Sequence, residues 1–570
     1  MKKIVSLLTA VTLLLGLMAG CGGDSTTAAA SADTASASSV TDNENETSNT
    51  EISMSVTEES DQESVAEASE ESQSEPIPVE LPITDEPITY SIWYSEPFTE
   101  YVNDPAEDVA IFRLLAEKTN ISLEFNLTTV DSASDQFQLL FAADSLPDII
   151  TDAMDYYSGS IDDAVLEDEF LYNYADDLTN MTNYNAVLDT YIEAKKTITS
   201  ADSGAMVSFP EIYKDVGDED GYMIRKDFLD LTGMDVPETY DELHDVLSAI
   251  YAQNGATLDL GSSGGDGLLG AGYGINCTLD NSDLSGWYVV DDEVKMGILQ
   301  DEFLDYIEMI KQWYAEGIIY ADFINTDNGD LSNLFTGAIS VTMKVPEIID
   351  VAASVVGAEM IPMTAPVKNK GDAITVCGGE SSCLMDAHTW SINVKTEQIE
   401  PLLKMIDYMY SAEATDMMNY GEENVSFTYD AEGNPQFTDL VINNSDGYDY
   451  AHAAYFYATS NRTRLPFVSD YARCFADYSE MALEAVEIYS NECTHENDYP
   501  NGAILNTEQT TQYNTVAADI CTYISENVLK FIYGQKDMSE WSAFIDTLYD
   551  MGIETAIEAK QSAYDDYLNS

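Results

Sequence analysis

The sequence predicts an α/β fold with a parallel sheet, and two observations carry that expectation. Residues 88–93 alternate apolar and polar like a strand, and residues 121–127 repeat the pattern. Between and after them stand two stretches with helical spacing, 108–119 and 136–143, and then a short apolar run at 146–150. Strand, helix, strand, helix, strand with short joints is the order from which parallel sheets are built. The chain is 570 residues long and 45% hydrophobic, enough for roughly three average domains.

In chain order the reading begins with Lys2 and Lys3, followed by an apolar run over 4–18 that is short for a membrane span. Met18-Ala19-Gly20-Cys21 closes that run with small residues, as a secretory signal peptide does over 1–20. Residues 22–85 contain no Lys or Arg and are dominated by Ser, Thr, Ala, Glu and Asp. Such a composition cannot bury enough apolar surface to order itself. It is expected to form an acidic tether with a reach of roughly 45 Å.

Beyond the first strands, Thr239 is an expected N-cap with Glu242 three residues on, the pattern of a capping box. Pro237 marks the preceding corner. Helices are expected over 239–252, 301–316 (stopped by Gly317), 402–410, 481–489, 516–531 and 541–549. No internal repeat is visible.

Charge excludes several functions. Lys and Arg number 22 against 104 Asp and Glu, a formal net charge of -82. This field repels nucleic acid and anionic lipid, so no nucleic-acid partner is expected, and anionic ligands are disfavoured. Six cysteines after Cys21 are too few for a disulfide scaffold. Cys377 and Cys383 are one candidate pair, which spacing alone does not select.

Four stretches then converge on one family. They are Gly221-Tyr222-Met223-Ile224-Arg225-Lys226-Asp227-Phe228-Leu229-Asp230 with Val236-Pro237-Glu238-Thr239-Tyr240-Asp241-Glu242; Trp313-Tyr314-Ala315-Glu316-Gly317-Ile318-Ile319 with Asp322-Phe323; Asn419-Tyr420-Gly421-Glu422-Glu423 with Gly433-Asn434-Pro435; and Ile532-Tyr533-Gly534-Gln535-Lys536-Asp537. Their order resembles the extracellular solute-binding proteins of carbohydrate ABC importers, in the large lipoprotein branch typical of Gram-positive bacteria. Met18-Ala19-Gly20-Cys21 likewise resembles a lipobox, with Met18 where Leu is usual, which implies lipidation of Cys21.

The resemblance implies a two-lobe periplasmic-binding-protein-like fold (type II) with a hinge and a ligand cleft. The expected division is lobe 1 over 86–212 and 339–420, and lobe 2 over 213–338 and 421–570. It further implies a monomer held on the outer face of the cell membrane by lipid alone, a carbohydrate ligand, an ABC permease as partner, no cofactor and no catalysis. Calcium-binding relatives carry an EF-hand-like loop after the Pro237 helix. Here residues 254–259 read Asn-Gly-Ala-Thr-Leu-Asp, without the acidic ladder such a loop needs, so no metal is expected.

Candidate ligand residues follow from position and type. Trp93 and Tyr94 end the first strand, and Asp152 lies just past the third, where α/β sheets hold ligands. Indoles stack on sugar faces, and a carboxylate accepts two hydroxyls. Trp287 follows a Gly/Ser loop, and Trp390 precedes a strand expected near the hinge. Arg225 is a scarce cation that either binds ligand oxygens or pairs with Asp227. Tyr455 and Tyr457 with Arg462 to Arg464 form an aromatic-basic patch, either cleft rim or plain surface. For every tryptophan the competing reading is core packing, which Trp313 and Trp541 favour by lying on apolar helix faces.

Catalytic-looking motifs fail on context. Gly261 to Gly265 fits G-x-S-x-G and Gly265 to Gly270 fits G-x-G-x-x-G, but neither shows the flanking strand and helix its chemistry needs. Asp218, Asp220 and Gly221 mimic part of a calcium loop whose first position is Val216. His244, His388, His452 and His495 have no paired metal spacing. The expected function is capture of a sugar or oligosaccharide. A lipid-anchored glycoside hydrolase, a binder of another solute such as a peptide, and an adhesion lipoprotein stand as alternatives.

Overall fold

The structure, a computed structural model, describes residues 76–570 except 215–219, 262–264, 280–283, 326–330, 378–384, 461 and 570. The signal peptide, Cys21, most of the acidic tether, Val216, Asp218 and Cys383 lie outside the described residues. Among the described residues no helix is long and apolar enough to cross a membrane.

The strands in chain order are β1 (Ile88–Glu96), β2 (Ile121–Thr129), β3 (Ile149–Thr151), β4 (Ser208–Lys214), β5 (Gly221–Arg225), β6 (Thr257–Leu258) and β7 (Trp287–Val290). They continue with β8 (Glu293–Met296), β9 (Ile339–Lys344), β10 (Met360–Pro362), β11 (Met385–Ile392), β12 (Phe427–Tyr429), β13 (Pro435–Phe437) and β14 (Val468–Asp470). Two sheets hold ten of them, and β7-β8 and β12-β13 form two separate two-stranded sheets. The first has six strands in the order β14-β4-β11-β3-β1-β2, the second four in the order β10-β5-β9-β6. In the first sheet only β11 runs against its neighbours. The second mixes parallel and antiparallel pairs.

β1 is buried on both faces from Ile92 onward, whereas edge strand β2 alternates at its start. The difference is positional: helices cover both sides of a central parallel strand. Ile92 and Tyr94 join one core with Trp390 and Phe209, while Trp93 turns to the other side and packs with Phe137 and Ile150. The second sheet has its own core, in which Leu243, Phe303, Trp313, Phe531 and Trp541 meet. Burying a side chain of this size contributes about 2–3 kcal/mol. Three C-terminal helices (Thr507–Ile532, Trp541–Asp550 and Ile553–Asn569) belong to this second core.

Helix boundaries follow local chemistry. The helix Tyr240–Asn254 is capped by Thr239, whose hydroxyl accepts from the Glu242 N–H at 3.3 Å. The Glu242 carboxylate returns to the Glu238 N–H at 3.1 Å, one residue before the position a reciprocal box uses. Gly255 and Gly317 end their helices at φ 81° and 80°, a region that favours glycine.

Several sequence expectations need correction. Residues 76–85 are packed: Val79, Leu81 and Ile83 lie against the first core, and Ile83 N–H donates to Thr119 O at 3.0 Å. Packed structure is therefore present about ten residues earlier than composition suggested. The expected return to lobe 1 at 339 is also wrong, because β9 and β10 both pair with β5. The chain rejoins the first sheet only at β11, makes the separate β12-β13 pair, and adds β14 to the first sheet past the expected boundary at 421. Strand partners are chosen by nonlocal register, which local patterning does not encode. Cys377 pairs with Cys493, 116 residues away, rather than with Cys383. Finally, a helix does occupy Gly265–Ala271, with β6 ahead of it. Its glycines sit inside the helix, and a Cβ on Gly270 would collide with Cys277 Sγ, so packing explains that glycine.

Candidate functional site at the carboxyl edge of the first sheet

The chain passes between the sheets three times: after β4, before β11 and after β14. Given the strand directions, all three passages meet the first sheet at one edge. That edge holds the carboxyl ends of β1, β3, β4 and β14 and the start of β11. The second sheet is thus tethered where α/β sheets place their ligands.

Asp152 sits at the centre of this edge, one residue beyond β3. Its backbone is left-handed at φ 52°, which Asp tolerates better than most residues. It is only 3% exposed, yet its Oδ1 has no hydrogen-bond partner. Oδ2 lies 3.7 Å from Arg464 Nε. Arg464 NH1 also pairs with Asp386 Oδ2, and Asp155 Oδ1 stands 2.6 Å from His388 Nδ1. Asp152, Asp155 and Asp386 each bring an oxygen within 4.8 Å of the other two. Burial pushes the Asp152 carboxyl up to about 7; Arg464 opposes the rise, and Asp386 and Asp155 add to it.

Half-buried Tyr156 flanks the cluster, its ring 5.6 Å from Trp93 and edge-on to it. Burial first, then the Asp152 charge, raise its hydroxyl to about 12. Tyr213, at the end of β4, is half-buried too. Deeper in, Glu211 and Arg473 form a buried pair at 3.6 Å, and burial drives the Glu211 carboxyl up to about 8 despite Arg473.

The sequence candidates divide sharply. Asp152 and Arg464 come together at the edge. Tyr94, Trp390 and Tyr455 lie behind it as supports and are fully buried. The Trp390 indole N–H donates to Arg464 O at 2.8 Å, and Tyr94 OH donates to Thr463 O at 2.9 Å, so both hold the loop that presents Arg464. Tyr455 OH donates to Glu96 Oε2 at 2.8 Å. Trp93 is sealed in the core on the opposite face of the sheet. Trp287 belongs to the second core and donates to Leu284 O at 2.6 Å. Arg225 takes its structural reading: Nε and NH2 bind the Asp227 carboxylate at 3.0 and 2.7 Å, with Phe228 under the guanidinium.

The expectation that indoles from distant parts of the chain line one groove is therefore wrong. All five tryptophans are at most 7% exposed, in three separate cores. Sequence reasoning did not single out Asp155, Asp386 or His388. His388 stood beside the flagged Trp390, but nothing local marks an acid as facing Arg464. Cys377, Cys493 and His495 cluster as well, but the two sulfurs are joined to each other.

The family model for bacterial extracellular solute-binding proteins matches residues 95–416. No curated protein matches the chain by sequence. Among solved structures, a Bifidobacterium longum infantis HMO-binding ABC-transporter-associated solute-binding protein is 19% identical with a TM-score of 0.66, over 85% of this chain and 99% of that one. The S. pneumoniae ABC-transporter substrate-binding protein FusA in complex with kestose is 19% identical with a TM-score of 0.63, over 84% and 99%. The alginate-binding protein AlgQ2 without calcium ion is 20% identical with a TM-score of 0.62, over 85% and 99%. At these identities the likeness is one of fold.

Proposed function

Because the chain belongs to the bacterial extracellular solute-binding protein family, we propose that it captures a sugar or oligosaccharide between its two sheets and delivers it to an ABC permease. The observation that carries this reading is the Asp152–Arg464–Asp386 cluster, with an unpartnered buried carboxylate oxygen at the edge where all three passages leave the first sheet. A carboxylate beside a guanidinium offers acceptor and donor together, which suits vicinal hydroxyls. Tyr156 and Tyr213 replace the tryptophans as stacking surfaces. The saccharide ligands named for the related structures support the same class.

Closure is hinge motion, driven only by the ligand's stronger binding to the closed form. Lipidation at Cys21 would hold the protein at the outer membrane face, and the work done is recognition without bond breaking. Thermal shift against neutral oligosaccharides of several linkages tests the reading. At least one should raise the midpoint, and chromatography should find that saccharide unchanged after prolonged incubation. A midpoint raised only by peptides, or released shorter sugars, refutes it.

A further inference from the structure

We infer that the Asp152–Asp155–Asp386 cluster is a subsite for the protonated amine of an amino sugar. The inference deepens the carbohydrate reading and rests on it. Three carboxylates meet there, with Arg464 against Asp152 and Asp386 and His388 against Asp155, and Asp152 Oδ1 is left a buried acceptor with no partner, so a further donor is wanted. Asp386 and Asp155 leave the site open, with side chains 17% and 49% exposed.

Spacing and coordination argue for an ammonium over a metal ion. A primary ammonium has three donors. Acceptors placed around it at hydrogen-bond length stand about 4.6 Å apart, compatible with three oxygens lying within 4.8 Å of one another. Calcium takes about six to eight oxygens at close range, and all three acids already have an oxygen facing Arg464 or His388. An anionic sugar would meet the same carboxylates and be rejected.

The test is calorimetric titration of the full-length protein with three β-1,4-linked pentasaccharides that differ at one substituent: cellopentaose, its N-acetylated chitin analogue and its free-amine chitosan analogue. Hexoses paired with their hexosamines form a second set, and calcium chloride alone a third. Salt of about 0.5 M screens binding to the acidic surface. The free amine should bind with one-to-one stoichiometry, about 10–100-fold tighter than its neutral counterparts. Asp152→Asn and Asp386→Asn should each erase that preference. A neutral sugar that binds as tightly as its amine analogue overturns this inference and leaves the carbohydrate reading standing. Calcium binding without amine binding overturns it in favour of a metal site. If no saccharide in these sets or in the neutral panel binds, both readings fall.

Discussion

Replacing Asp152 with asparagine should make the ligand-free protein more stable at alkaline pH and leave it nearly unchanged in acid. The carboxyl is held at about 7 when folded against an ordinary 3.8. An acid with a raised folded value binds more protons folded than unfolded across that window, so its contribution to stability falls as pH rises through it. Full ionisation costs about 4 kcal/mol, of which about 2–3 kcal/mol falls between pH 5 and pH 8. The substituted amide would keep the shape and carry no such cost. Urea unfolding of both proteins at the two pH values measures the difference directly. The margin of Asp152→Asn over the wild type should widen from pH 5 to pH 8 by roughly that amount. If it narrows, Asp152 is stabilised as an anion in the fold, and the picture of an under-compensated cluster is wrong. Saturation with an amino sugar should flatten the wild-type slope, since an ammonium supplies the missing charge.

Three further outcomes are expected. With every tryptophan buried, intrinsic emission should be blue-shifted and resist iodide; strong iodide quenching would place an indole in the cleft after all. Removing the Cys377–Cys493 disulfide by a double serine substitution opens a link across 116 residues. It should cost about 2–4 kcal/mol and lower the thermal midpoint by about 2–4 °C. On one flank Tyr567 joins the lobes: its hydroxyl donates to Glu193 Oε1 at 2.6 Å, its carbonyl accepts from Lys196 Nζ at 3.0 Å, and that lysine lies 4.0 Å over its ring. Tyr567→Ala removes the hydroxyl and the ring and should favour open forms by about 1–2 kcal/mol, seen as a larger radius of gyration in solution scattering; an unchanged radius would mean these contacts do not hold the lobes.

The strands β1 and β2, the glycine stops at 255 and 317 and the Thr239 cap were all legible in the sequence, because each is decided within a few neighbouring residues. The place of Asp152 was legible for a related reason: a residue just past a strand falls at the carboxyl edge of the sheet whatever the rest of the fold does. The family followed from several short matches in a fixed order. Partner choice was not legible. Whether β9 joins the first or second sheet, and whether Cys377 meets Cys383 or Cys493, depends on segments more than a hundred residues apart. The tryptophans show the same division most plainly. An indole suits a sugar face and a packed interior equally, and only the register that turned Ile92 one way and Trp93 the other, with helices over both faces, assigned these five to the interior and left the carboxyl edge of the first sheet to carboxylates, one arginine and two tyrosines.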